Sequence, residues 1–139
     1  MWNLLGPRPV NMLVWDSFSS DWANDIQSQL KLENVHICKV DYGKLPDLNN
    51  NQFKGDIVFN WNGTSSGVCV PDGEWISKDR KGLTFCDATS AVFAMKMDFE
   101  KLDVIHLFTI AFGSRNLICT DVQANHFATG PHSQSHFLE

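Results

Sequence analysis

Two short apolar runs, NMLVW at 11–15 and NVHICKV at 34–40, flank a polar stretch with helical spacing, and this arrangement constrains the fold most. Between the runs, Trp22, Ile26 and Leu30 recur every four residues, which puts them on one face of a helix. Ser20 or Asp21 is the expected N-cap, since a short oxygen side chain there accepts from the first free helix N–H groups. Strand, helix and strand within about 30 residues make a βαβ unit with parallel strands and a right-handed crossover. Upstream, LLGPRPV reads as a helix end stopped by Gly6, Pro7 and Pro9.

Three further apolar runs extend the sheet: DIVFNW at 56–61, a run in 82–91 that ends near Asp87, and KLDVIHLFTIAF at 101–112. Alternating strands and helices give an α/β class, a mostly parallel sheet with flanking helices. The closing segment DVQANHFATGPHSQSHFLE has weak periodicity, so loose packing is expected there. In such sheets ligands gather at the carboxyl ends of the strands. Three chemically capable segments fall at such ends: DSFSSD, NGTSSG and DATS. Parallel strands bring these ends to one edge, so the three segments are expected to converge.

At 139 residues, with 43% hydrophobic and 19% charged side chains, the chain reads as one globular domain able to bury a core without disulfides. Its net charge of −5 argues against nonspecific nucleic-acid or anionic-membrane binding. No apolar run reaches the roughly 18 residues of a membrane span. Cys38, Cys69, Cys86 and Cys119 lie far apart, as free thiols of a reducing, cytoplasmic compartment do.

Asp87, at the end of a buried run, either caps the following turn or holds a positive ligand atom, such as a protonated ring nitrogen. Thr64, Ser65 and Ser66 sit between Gly63 and Gly67, as a solvent turn or as a cradle for a phenolic oxygen or phosphate. Asn62-Gly63-Thr64 also spells an N-glycosylation sequon. Phe18 is a core aromatic or one that stacks on a flat ring. His126, His132 and His136, with Cys119 and Asp121, are too loosely spaced for a structural zinc site, so no metal is expected.

Several ordered motifs resemble one family. LLGPRPVNMLVWDSFSSDWANDIQSQLKL, VDYGKLPDL, WNGTSSGV and CDATSAVFA together resemble phosphoserine aminotransferase, of the class V pyridoxal-phosphate enzymes, over about residues 2–105. The resemblance implies a partial large domain of fold type I at 1–105 and a divergent tail at 106–139. It implies pyridoxal 5'-phosphate as cofactor, with Phe18 stacked on its ring, Thr64 contacting it and Asp87 pairing with its nitrogen. It further implies amino transfer from glutamate to 3-phosphohydroxypyruvate, in serine biosynthesis, by a homodimer. The family's Schiff-base lysine counts to Ala111, and no lysine follows Lys101. No catalytic residue is therefore assigned, and the chain reads as a truncated or rearranged piece, inactive alone. The alternative is a non-catalytic α/β segment serving in binding or oligomerisation.

Overall fold

Residues 10–14, 56–60 and 84–86 are buried almost without interruption, the pattern of parallel strands covered on both faces. The computed structural model describes residues 2–49, 53–109 and 118–122. A short 3-10 turn at Trp2–Leu4 precedes β1 (Val10–Val14), α1 (Ser17–Ser28), β2 (Val35–Lys39), β3 (Asp56–Asn60), β4 (Thr84–Asp87), β5 (Val104–Thr109) and β6 (Ile118–Val122). The sheet order is β2-β1-β3-β4-β5-β6; the first five strands run parallel and β6 antiparallel to β5. The expected α/β class and five parallel strands are present. The strand at 118–122 was not expected, since that stretch lacks a clear alternation.

Side chains alternate between two cores. Met12, Val14, Val58, Phe85 and Val104 face α1, together with Ala23 and Ile26. Leu13, Phe59, Cys86 and Ile105 point the other way, under loops carrying Trp61, Val70 and Ile76. Among the described residues α1 is the one α-helix, so loops cover that second face. None of the described helices is long and apolar enough to cross a membrane.

The helix begins earlier than its sequence suggested. Asp16 is the N-cap: its Oδ1 accepts from Ser19 N at 2.9 Å, while Asp16 N donates to Ser19 Oγ at 3.0 Å. This reciprocal box satisfies two free donors at once, which Ser20 or Asp21 in the same role would not. Phe18 consequently lies in the first helical turn.

Polar pins hold the amino edge of the sheet. Buried Asp56 accepts from Arg8 Nε at 2.5 Å and from Leu83 N at 2.8 Å, tying β3 to β4. Buried Asp103 accepts from Thr84 N and Thr84 Oγ1, each at 2.8 Å, and from Arg80, tying β4 to β5. A Cβ on Gly82 would lie 1.8 Å from Gly55 O, so only glycine fits where these backbones meet.

The described thiols are free. Cys86 is fully buried and Cys69 exposed, while Cys38 is half-buried rather than sunk in the core. Burial pushes the Cys86 thiol well above the usual range; the neighbouring Asp87 charge adds to this and a backbone hydrogen bond from Trp61 offsets part. Burial also raises Cys69, though it stays accessible.

Three outcomes are expected. Asp103→Ala strands the buried Arg80 and lowers stability by about 3–5 kcal/mol, read from urea unfolding. Iodoacetamide followed by peptide mass mapping modifies Cys69 in the native chain and Cys86 only on unfolding. Because Cys86 ionises more readily unfolded, its contribution to stability falls as pH rises above the ordinary thiol range.

Candidate functional site

The carboxyl ends of β3 and β4 and the middle of β5 form one polar row. Asn60 pairs in register with Asp87, and Asp87 with His106. Each lies two residues beyond Val58, Phe85 and Val104, so the row continues the face that α1 covers. Over it opens a cavity of about 350 Å³, lined by Asn60, Asp87, His106, Phe18, Trp22 and Thr64, with Asn62, Thr89 and Ser90. The three sequence-derived candidates, Phe18, Thr64 and Asp87, thus share one site.

Asp87 is oriented from its own turn. Its Oδ1 accepts from Thr89 N at 3.0 Å and from Thr89 Oγ1 at 2.6 Å. Asp87 thus closes the turn after β4, as the first of its two readings expects, and it also lines the cavity. The wall comes from α1, where Phe18 and Trp22 stand one helical turn apart. Phe18 is 49% exposed, so it is a mouth residue and not a core one. Trp22 meets His106 edge-on, with ring centroids 5.3 Å apart.

The NGTSSG segment is a tight closed loop. Gly63 N donates to Val68 O at 2.8 Å, and Val70 N to Trp61 O at 2.9 Å. Gly67 takes φ +74°, a left-handed conformation that glycine adopts freely, and donates to Gly63 O at 2.7 Å. Its hydroxyls brace neighbouring strand ends, with Ser65 Oγ 3.0 Å from Ser17 Oγ and Thr64 Oγ1 2.7 Å from Ser90 Oγ. Ser90 Oγ donates to Asn62 Oδ1 at 2.9 Å. A carbonyl oxygen cannot donate, so Ser90's one proton goes to Asn62 and the Thr64 proton goes to Ser90. The expected convergence of DSFSSD, NGTSSG and DATS is met by direct contacts.

Asn60, His106 and Trp22 were not singled out as site residues from sequence. Asn60 and His106 lie within apolar runs and read there as strand residues; only the register sets them beside Asp87. Asn60 is 3% exposed, and its Oδ1 has no hydrogen-bond partner. No described lysine lines the cavity. Ala111 lies outside the described residues, as do His126, His132 and His136. Among the described residues no three His, Cys, Asp or Glu side chains gather as metal ligands.

A larger cavity, about 740 Å³, opens at the amino edge beside Phe53 and Trp75. Its two arginines, Arg8 and Arg80, are committed to Asp56 and Asp103. The smaller cavity, at the strand ends that favour ligands, is the better candidate.

No family model matches the chain. It is 59% identical over 105 residues to phosphoserine aminotransferases of Methanosarcina mazei and Methanosarcina barkeri, covering 76% of this chain and 28% of each relative. The fold resembles a phosphoserine aminotransferase from Cytophaga hutchinsonii, with TM-score 0.74 and 21% identity over 89% of this chain and 36% of that one. A ureidoglycine-glyoxylate aminotransferase from Bacillus subtilis gives TM-score 0.65 at 18% identity, over 78% of this chain and 30% of that one. Across those 105 residues this chain is a homologue of the phosphoserine aminotransferases, and it spans 28% of their length.

Proposed function

We propose that the cavity at the carboxyl ends of β3 and β4, beside His106 of β5, is the ring-binding half of a phosphoserine aminotransferase centre, and that it takes pyridoxal 5'-phosphate without a covalent bond. The observation that carries this reading is the meeting of Phe18, Thr64 and Asp87 around one cavity. The residues fit such a ring. A carboxylate at the floor suits a protonated ring nitrogen, two aromatics offer an apolar wall, and a volume of about 350 Å³ accepts a small heterocycle. When bound, pyridoxal phosphate supplies an electron sink that stabilises negative charge at the carbon beside its carbonyl.

The chain's own residues bind and orient. Asp87, fixed by Thr89, keeps the ring nitrogen protonated by presenting a negative charge to it. Phe18 and Trp22 screen the ring from water. The covalent attachment and proton shuttle of a transaminase need a lysine amine, and no described lysine lines the cavity. The chain alone is therefore proposed to bind the cofactor but not to transfer an amino group. In the complete centre the substrates would be glutamate and 3-phosphohydroxypyruvate, in serine biosynthesis in the cytoplasm.

Titration with pyridoxal 5'-phosphate, followed by tryptophan fluorescence, is expected to give saturable binding. Asp87→Asn should weaken it at least tenfold, in keeping with loss of a charge-assisted bond. Borohydride reduction should label no lysine in an Asp87-dependent way. Equal affinity of wild type and D87N would sink the reading.

A second reading, an oligomerisation role, draws on exposed apolar side chains: Phe93 is 88% exposed, with Met95 and Phe99 also open. It predicts a homodimer in sedimentation equilibrium. A monomer at high concentration would rule it out.

A further inference from the structure

We propose that the outer edge of β2 is an interaction surface for a second copy of this chain, docked antiparallel about a two-fold axis at His36. The inference is independent of the cofactor reading, since no residue of β2 lines that cavity. β2 ends the sheet, with β1 its one neighbour among the described strands. Asn34 O accepts from Val10 N at 2.8 Å, and Val40 N donates to Val14 O at 3.1 Å, so the even-numbered residues here turn their backbone groups to β1. Backbone direction alternates along a strand, so Val35, Ile37 and Lys39 turn N–H and C=O outward. Such an open row of donors and acceptors is a template for another strand, and β2 holds no proline or glycine to blunt it.

The side chains select both the occupant and its register. With the axis at His36, Val35 lies opposite Ile37 of the other copy, and these two residues exchange both backbone bonds. Both are part-buried against the core under α1, so their pairing continues that apolar face across the dimer. Glu33, just before β2, lies opposite Lys39 of the other copy, and the symmetry repeats this pair at the far end. Glu33 and Lys39 are both exposed and have no ion-pair partner among the described residues. A lysine at a sheet edge ordinarily discourages strand addition, but here the same chain carries the counter-charge at the matching position. An axis at Ile37 would set Glu33 against Asp41 and Val35 against Lys39, and an axis at Val35 would set Lys39 against Lys31. Both of these oppose like charges, which destabilises a strand pair.

The test is sedimentation equilibrium of the full chain over a concentration series, for the wild type, Glu33→Lys and Lys39→Glu. The wild type should dimerise. Each single variant should weaken the dimer at least about tenfold, because both symmetric charge pairs turn repulsive. Mixed in equal amounts, the two variants should recover the wild-type affinity, since each then meets the opposite charge at both ends. Misfolding of either variant cannot produce that recovery, so the test survives a variant that folds poorly alone. A wild type that stays monomeric at high concentration overturns the proposal, as does a single variant that dimerises like the wild type or a mixture that fails to recover. A dimer abolished by Phe93→Ser and unmoved by the charge variants belongs to the apolar patch around Phe93 and overturns the β2 edge as its seat.

Discussion

The contact on which the site depends lies at the far end of the sheet. Asp103 holds Thr84 through two 2.8 Å hydrogen bonds and Arg80 through its guanidinium, with none of the carboxylate left in water. That knot sets where β4 starts relative to β5. The pairing of Asp87 with His106 follows three residues later. A slip of one residue would turn every side chain of a strand to the opposite face. Asp87 would then point at the loop-covered core, and Cys86 at the cavity.

The two ends of the sheet have divided labour. At the amino edge, Arg8 and Arg80 are paired with Asp56 and Asp103 and glycine lets backbones touch, although Asp56 Oδ2 and Arg80 Nε stay buried without a hydrogen-bond partner. At the carboxyl edge, Asn60 keeps an acceptor without a partner and hydroxyls form open-ended chains. Unsatisfied polar atoms are costly when buried, so the unpartnered Asn60 Oδ1 in the cavity wall suits a ligand there. The aromatic wall adds the apolar surface that a flat ligand requires.

Much of this was legible in the sequence. Alternating runs specified the parallel strands, and residues after each run named the converging segments. Phe18, Thr64 and Asp87 came from motif resemblance and meet in space. The helix start was misread because Ser20 and Asp21 are as good as Asp16 by residue type; the reciprocal bond with Ser19 decides, and it is a three-dimensional fact. Asn60 and His106 escaped notice because a polar residue within an apolar run carries no sign of its neighbour across the sheet. The strand at 118–122 escaped for a related reason, since its pairing with β5 and not its own periodicity makes it a strand.

The capping of α1 has a consequence for how this segment tolerates change. Cap and wall are packed into seven residues: Asp16 and Ser19 lock the first turn, and Phe18 and Trp22 project from it. An inserted or deleted residue between Asp16 and Trp22 would rotate the rest of the helix by about 100°. Trp22 would leave both the cavity and its contact with His106, while the composition of the segment stayed nearly the same. The length of DSFSSDW is therefore as strictly set as its chemistry, and variation there should come as substitution and not as a change in residue count.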